Sequence, residues 1–215
     1  MPLVVDGRVY QHTRQRGEEV VWCVDLETGD VLWRQGYSVR YRIQSPGERH
    51  GSGPNSNPTL ADGRLFTFSV TGALSAWAID SGELLWRRDY ADRFRRTQPD
   101  WGHSTSPLVD GDRVVVHFGS DDAGVLVALD VATGEDVWTE GEDGACHASP
   151  IIVELEGIRQ IVEWNDESVV GIESQSGRRL WAYDLPHEGS NQNSPTPVFY
   201  QGRLLVGGEN RGIRS

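Results

Sequence analysis

Four short polar runs carry the side chains most able to do chemistry: HGSGPNSNP beginning at His50, GHSTSP around His103, CHASP around His147 and NQNSP around Asn193. Imidazole nitrogens are common metal ligands, so three histidines in comparable runs raise a metal site. Their offsets from the next repeat-opening proline are eight, four and three residues, with Asn193 at four, and such unequal spacing does not build one ligand ring. No metal is expected. The favoured expectation is that these side chains satisfy loop backbone and carbonyls between repeats, the other being a polar funnel for a small molecule or water.

A second group is cationic. The segment 38–57 holds Arg40, Arg42 and Arg49 against Glu48, and the segment 87–103 holds five Arg against three Asp. Tyr37, Tyr41, Phe94 and Trp101 accompany them. Guanidinium groups beside aromatic rings suit a carboxylate, a sugar acid or an acidic protein segment. The favoured expectation is nevertheless the plainer one, a set of solvated arginines lying over strand flanks. The candidate ligand-binding residues are therefore Arg40, Arg42, His50, Arg93, Arg95, Arg96, Trp101, His103, His147 and Asn193.

No catalytic residue is expected. His187-Glu188 lacks the second His of HExxH, Gly51-Ser52-Gly53 lacks dinucleotide-loop spacing, and no GxSxG elbow occurs. The run 119–124 has oxygen ligands without the glycine and distal Glu of a calcium loop and reads as a solvated turn.

Composition narrows the classes further. The 215 residues carry a formal charge of −12, and all 20 basic residues are Arg. Lysine nucleophiles, Schiff bases and phosphate-loop lysines are thereby excluded. An acidic surface repels phosphate backbones, so nucleic acid is not an expected partner. No apolar run reaches the length of a membrane-spanning helix, and the first residues read as strand and turn, not as a signal peptide. Cys23 and Cys146 lie far apart and form neither a disulfide framework nor a CxxC pair.

An internal repeat must position these groups. Four segments end alike, with Gly four residues before Trp: Gly29 and Trp33, Gly82 and Trp86, Gly134 and Trp138, Gly177 and Trp181. Upstream, Pro precedes Arg by six residues at Pro2, Pro58, Pro107 and Pro197, with a Gly turn between. In the fourth unit Pro150 reaches Arg159 by what reads as a longer turn. Each unit reads as four strands; in the third these begin at Pro107–Val109, Arg113–Phe118, Val125–Asp130 and Asp136–Trp138. The motif tryptophans are 53, 52 and 43 residues apart, the period of a propeller blade. The expected fold is an all-β propeller of four-stranded antiparallel blades, at approximately 2–37, 56–90, 106–142 and 149–185, with a fifth begun at 194–215. Gly is expected to permit the turn, Trp to cover the neighbouring blade's flank, and Asp25, Asp80 and Asp130 to accept backbone hydrogen bonds within the turn.

The segment Ala128 to Trp138 resembles the AxDxxTGxxxW docking motif of pyrroloquinoline quinone (PQQ) repeat propellers, matching at Ala128, Asp130, Thr133, Gly134 and Trp138. The first unit has Cys23 for Ala, the fourth has Glu173 and Ser176 as replacements, and the second reads as two residues shorter. The resemblance implies a seven- or eight-bladed propeller of which this chain is part, completed by further blades or by a second copy. It also implies an extracytoplasmic location. The family includes quinoprotein alcohol dehydrogenases, which bind PQQ beside a vicinal cysteine pair and a calcium ion, and cofactor-free scaffolds. With no vicinal cysteines here, the leading expectation is a non-catalytic module that needs no cofactor, its loop face binding a protein or a polar or anionic ligand. The alternative is a portion of a PQQ- and calcium-dependent dehydrogenase.

Overall fold

The computed structural model describes residues 1–41, 51–95, 97–186, 193–208 and 212–215. Arg42, His50 and Arg96 lie outside the described residues. The first unit contains β1 (Leu3–Val5), β2 (Arg8–Gln15), β3 (Glu18–Asp25) and β4 (Val31–Ser38). The second contains β5 (Thr59–Ala61), β6 (Arg64–Phe68), β7 (Leu74–Ala78) and β8 (Leu84–Arg88). The third contains β9 (Leu108–Asp110), β10 (Arg113–Gly119), β11 (Gly124–Asp130) and β12 (Asp136–Glu140). The fourth contains β13 (Ile151–Leu155), β14 (Ile158–Trp164), β15 (Ser168–Glu173) and β16 (Arg179–Asp184). Three further strands follow, β17 (Val198–Tyr200), β18 (Arg203–Gly208) and β19 (Gly212–Arg214). Each unit is an antiparallel meander in chain order, the blade of a β-propeller.

The middle strands are apolar on both faces because a sheet packs on each side. In β10, Val114, Val116 and Phe118 join Phe66, Phe68 and Leu74 of the second unit, whereas Val115 joins Ile161, Val170 and Ile172 of the fourth. The two-residue period of a strand thus sorts one continuous apolar run between two interfaces.

The repeat motif closes those interfaces. The indole Nε1 of Trp33 donates to Ile79 O (2.9 Å), that of Trp86 to Val131 O (3.2 Å) and that of Trp138 to Ser174 O (3.1 Å). Each acceptor lies three residues before the next unit's motif glycine. That glycine lies flat against the ring: a Cβ on Gly82, Gly134 or Gly177 would come within 2.5–2.6 Å of Trp33, Trp86 or Trp138. Positive φ at all three positions adds a second reason for glycine. Opposite each Trp stands a small residue, Cys23, Ala76, Ala128 or Gly171, with a bulge directly after it. Trp181 differs: its Nε1 donates to Gln160 Oε1 of its own blade (2.9 Å).

Sequence expectations in three of the units need correction. In the second unit the turn is not shortened. Gly82 N donates to Ala78 O as Gly134 N does to Asp130 O, so Ala78 holds the motif aspartate position and the motif opens at Ala76. Asp80 sits two residues later and bonds Arg8 of the first unit (2.9 Å), whereas Asp25 and Asp130 each accept two backbone N–H groups in the turn. In the third unit the first strand, expected at Pro107–Val109, runs on to Asp110, and the hairpin is made by Gly111-Asp112. In the fourth the hairpin is an ordinary two-residue Glu156-Gly157 turn; β13 is longer, and Ile158 takes the place of the repeat arginine.

Candidate functional site

The innermost strands β5, β9, β13 and β17 are each preceded by a polar run, and the structure gives these runs a common register. The residue before each proline forms a ladder from blade to blade. Asn57 N donates to Ser106 Oγ (3.0 Å), Ser106 N to Ser149 Oγ (3.0 Å) and Ser149 N to Thr196 Oγ1 (3.3 Å). Met1 N donates to Asn57 Oδ1 in the same way. Extended inner-strand ends have no partner on that side, so a short oxygen-bearing side chain from the neighbour supplies one.

Four residues before the proline, side chains point inward. His103 is fully buried; its Nε2 meets Thr97 O (2.8 Å), its N–H donates to Val70 O, and its ring packs on Phe68. Burial pushes its pKa down to about 3, against a smaller upward pull from the Thr97 carbonyl, which fixes it as a neutral ring. Asn193 is buried and donates its amide to Asn165 O (2.9 Å) and Asp166 O (3.1 Å). Cys146 shares this position: its buried Sγ lies against the carbonyls of Trp164 and Asn193, and burial raises its thiol pKa. The polar runs alone group His103 and Asn193 with His147 and give no place to Cys146. The register from proline, which is equal for these three, was the signal available.

One residue further on, side chains turn outward. Asn55 and Ser194 are exposed and Ser104 and His147 half-buried. Ser104 Oγ meets His147 Nδ1 (2.9 Å), and Trp101 stacks parallel to the imidazole at 6.1 Å. Burial lowers the His147 pKa while Asp121 partly opposes it. Its Nε2 has no hydrogen-bond partner among the described residues. Histidines 103 and 147, adjacent in the predicted set, therefore belong to different layers.

The two long connections meet. A Cβ on Gly102 would lie 3.0 Å from the Tyr41 hydroxyl, and Arg14 anchors the first connection through Ser52 O, Val39 O and Tyr41 O. Arg40, Arg93 and Arg95 are exposed on these connections, and the Arg93 guanidinium lies 5.3 Å from the Phe94 ring centroid. Arg87 instead folds inward, 3.7 Å from the Tyr37 ring centroid and bonded to Ser75 Oγ.

Two buried acid–base pairs escaped the sequence reading. Glu19 binds Tyr37 OH (2.6 Å) and the backbone N–H of Val70 in the next blade (3.0 Å), with His12 at 3.3 Å. Burial pushes the Glu19 pKa up, but His12, Tyr37 and Val70 outweigh it and hold the carboxyl low. His117 Nδ1 meets Glu163 Oε1 at 2.6 Å across the third interface, and its Nε2 meets Asp143 O. Burial alone would depress His117; the Glu163 carboxylate reverses the shift and raises it. His12 and Glu19 meet across β2 and β3 of one hairpin, but Tyr37 of β4 and Val70 of the next blade complete their site, and His117 and Glu163 come from different blades, so no local motif marks either pair.

The side chains fit PQQ and calcium poorly. Cys23 and Cys146 are buried in different blades, the Cys146 sulfur is held between carbonyl groups, and the Asn193 amide points its nitrogen, not its oxygen, at the nearby loop. Among the described residues no group of three or more His, Cys, Asp and Glu could hold a metal ion. Among them too, no helix is long and apolar enough to cross a membrane.

Blades of this register joined by tryptophan–glycine contacts define a PQQ-type repeat propeller. The chain belongs to the family described as outer membrane protein assembly factor BamB, whose model matches residues 2–214. It is 27% identical over 210 residues to BamB of Yersinia pestis, covering 96% of this chain and 47% of that protein. It is also 27% identical over 148 residues to methanol dehydrogenase [cytochrome c] subunit 1 of Methylorubrum extorquens, covering 64% of this chain and 22% of that subunit. Among solved structures, BamB of Moraxella catarrhalis superposes with a TM-score of 0.61 at 15% identity, over 93% of this chain and 54% of that one, a likeness of fold. The chain thus spans about half the length of the BamB relatives named here, and less of the dehydrogenase subunit.

Proposed function

We propose that the chain is a non-catalytic binding module whose loop face receives an acidic segment of a protein partner, without a cofactor. The observation that carries this reading is the division of labour on that face. His103, Cys146 and Asn193 are engaged by backbone, while Arg40, Arg93 and Arg95 stand exposed on two touching connections, the second of which also carries Trp101. Exposed guanidinium groups on a rigid scaffold recognise carboxylates and steer encounter, particularly on a body that is otherwise acidic. The name of the BamB relatives, an outer membrane protein assembly factor, fits a module that holds other proteins and supports an extracytoplasmic location.

The test is fluorescence anisotropy of a labelled ten-residue polyglutamate peptide with the 215-residue chain. Reversing Arg40, Arg93 and Arg95 to Glu should abolish a salt-sensitive signal; equal affinity would defeat the reading. A second reading, part of a PQQ-dependent dehydrogenase, draws support from the similarity to the methanol dehydrogenase subunit. Calcium-dependent quenching of tryptophan fluorescence by added PQQ would favour it over the first.

A further inference from the structure

The outer edge of the first blade is built unlike the others. The fourth strand of every blade is an edge, and an edge with unpaired N–H and C=O groups invites another strand unless it is short, charged, bulged or covered. In each blade a bulge falls between the last strand's start and its tryptophan, which blunts that end. Past the bulge β8 runs only from Trp86 to Arg88, β12 from Trp138 to Glu140 and β16 from Trp181 to Asp184, whereas β4 continues from Trp33 to Ser38. That longer stretch contains no proline, no acid and one charge, Arg34, whose guanidinium lies 5.2 Å from the Trp22 ring centroid.

The direction of its free groups follows from one hydrogen bond. Val39 N donates to Gly17 O (3.0 Å), so on alternation Tyr37, Gln35 and Trp33 face β3, while Arg34, Gly36 and Ser38 turn N–H and C=O outward. Those three are also exposed, and among the described residues no other strand pairs with that side. Beside this edge lies a concavity of about 590 Å³ lined by Gln15, Arg16, Glu18 and Arg34. Two guanidinium groups there face one carboxylate, with Arg34 Nη2 3.8 Å from Glu18 Oε2. The rim lacks the acids of its counterpart: residues 31–39 hold one Arg and no acid, whereas the matching stretch of the third blade, 136–144, holds four acids and no base.

We propose that β4 is a strand-addition site for an extended acidic segment of a protein partner, which pairs with Arg34, Gly36 and Ser38 and places a carboxylate between Arg16 and Arg34. Main-chain bonds supply affinity in such additions, and alternate side chains supply choice of partner. The site goes beyond the loop-face reading and is independent of it, since Arg40, Arg93 and Arg95 take no part.

The test uses the 215-residue chain and a labelled eight-residue peptide alternating Val and Glu, with an alternating Val and Lys peptide as control. Saturable binding of the Glu peptide, with slowed amide exchange at Arg34, Gly36 and Ser38, is the expected result. Gly36→Pro removes one outward donor where an edge tolerates proline, and should weaken binding by about tenfold or more with an unchanged melting midpoint. Arg34→Glu should weaken the Glu peptide and favour the Lys peptide, which keeps the test decisive if the proline variant unfolds. Absence of saturable binding, or affinity indifferent to both substitutions, overturns the proposal. A dimer in light scattering that Gly36→Pro dissolves also overturns it, by showing that a second copy occupies the edge. The triple reversal of Arg40, Arg93 and Arg95 should leave this peptide's affinity unchanged, so failure of either site is distinguishable from failure of the other.

Discussion

The two ends of the blades obey different rules. At the motif end, three consecutive interfaces repeat one joint: an indole, a glycine at positive φ beneath it and a carbonyl three residues before that glycine. At the loop end only the residue before proline repeats its role, and the position three residues earlier is filled in turn by Pro54, His103, Cys146 and Asn193. The contrast teaches that a contact made identically at each interface is written as spacing. A contact made once is written nowhere in the local sequence.

The sharpest way to break that comparison is to remove an indole. Trp138→Ala is expected to cost about 3–5 kcal/mol in urea unfolding, as for large core truncations. Trp181→Ala, whose ring is half-buried and bonded within its own blade, should cost below about 2 kcal/mol. Equal losses would mean that docking against the next blade adds nothing to burial.

Next in size are the buried pairs. Glu163→Gln should destabilise by about 2–4 kcal/mol, because it leaves His117 buried without its carboxylate. The pH dependence carries a sign. The folded His117 pKa lies above its ordinary value of 6.5, so its contribution is complete below that value and is lost as pH rises through the folded pKa. Glu163→Gln should remove this alkaline loss in melts across a pH series. His103 acts oppositely: its folded pKa near 3 lies below the ordinary 6.5, so its contribution is present above 6.5 and lost as pH falls toward 3. His103→Gln should flatten the acid limb.

Smaller still is the ladder before the inner strands, where Ser149→Ala should cost about 1 kcal/mol for one hydrogen bond. A loss near zero would separate the ladder from stability. The smallest effect is expected at the exposed connections, where Arg93→Glu with Arg95→Glu should move stability by less than about 0.5 kcal/mol.

The blades were legible because their determinants recur. In the third unit the strands lie within one residue or two of the expected positions, since apolar runs end at Gly and Asp turns whose chemistry is local. The second unit misled because Ala78 stands where the others carry Asp or Glu, and Asp80 nearby imitated a shortened motif. The candidate site was legible in composition only. Nothing in the run GHSTSP distinguishes an imidazole turned into Phe68 from one turned toward Trp101; the layer is set by packing against rings more than thirty residues away in sequence. The contacts of Glu19 with Val70 and of His117 with Glu163, each made across a blade interface, are invisible for the same reason.

In the proposed function, the buried polar residues at the loop end hold the fold while the exposed arginines hold a partner. This division is tested by measuring urea stability and polyglutamate affinity together in two variants, Asn193→Ala and the Arg40, Arg93 and Arg95 reversal. A crossed result is expected: Asn193→Ala loses stability and keeps affinity, and the triple reversal keeps stability and loses affinity. Loss of affinity without loss of stability in Asn193→Ala, or an unchanged affinity in the triple reversal, would contradict it.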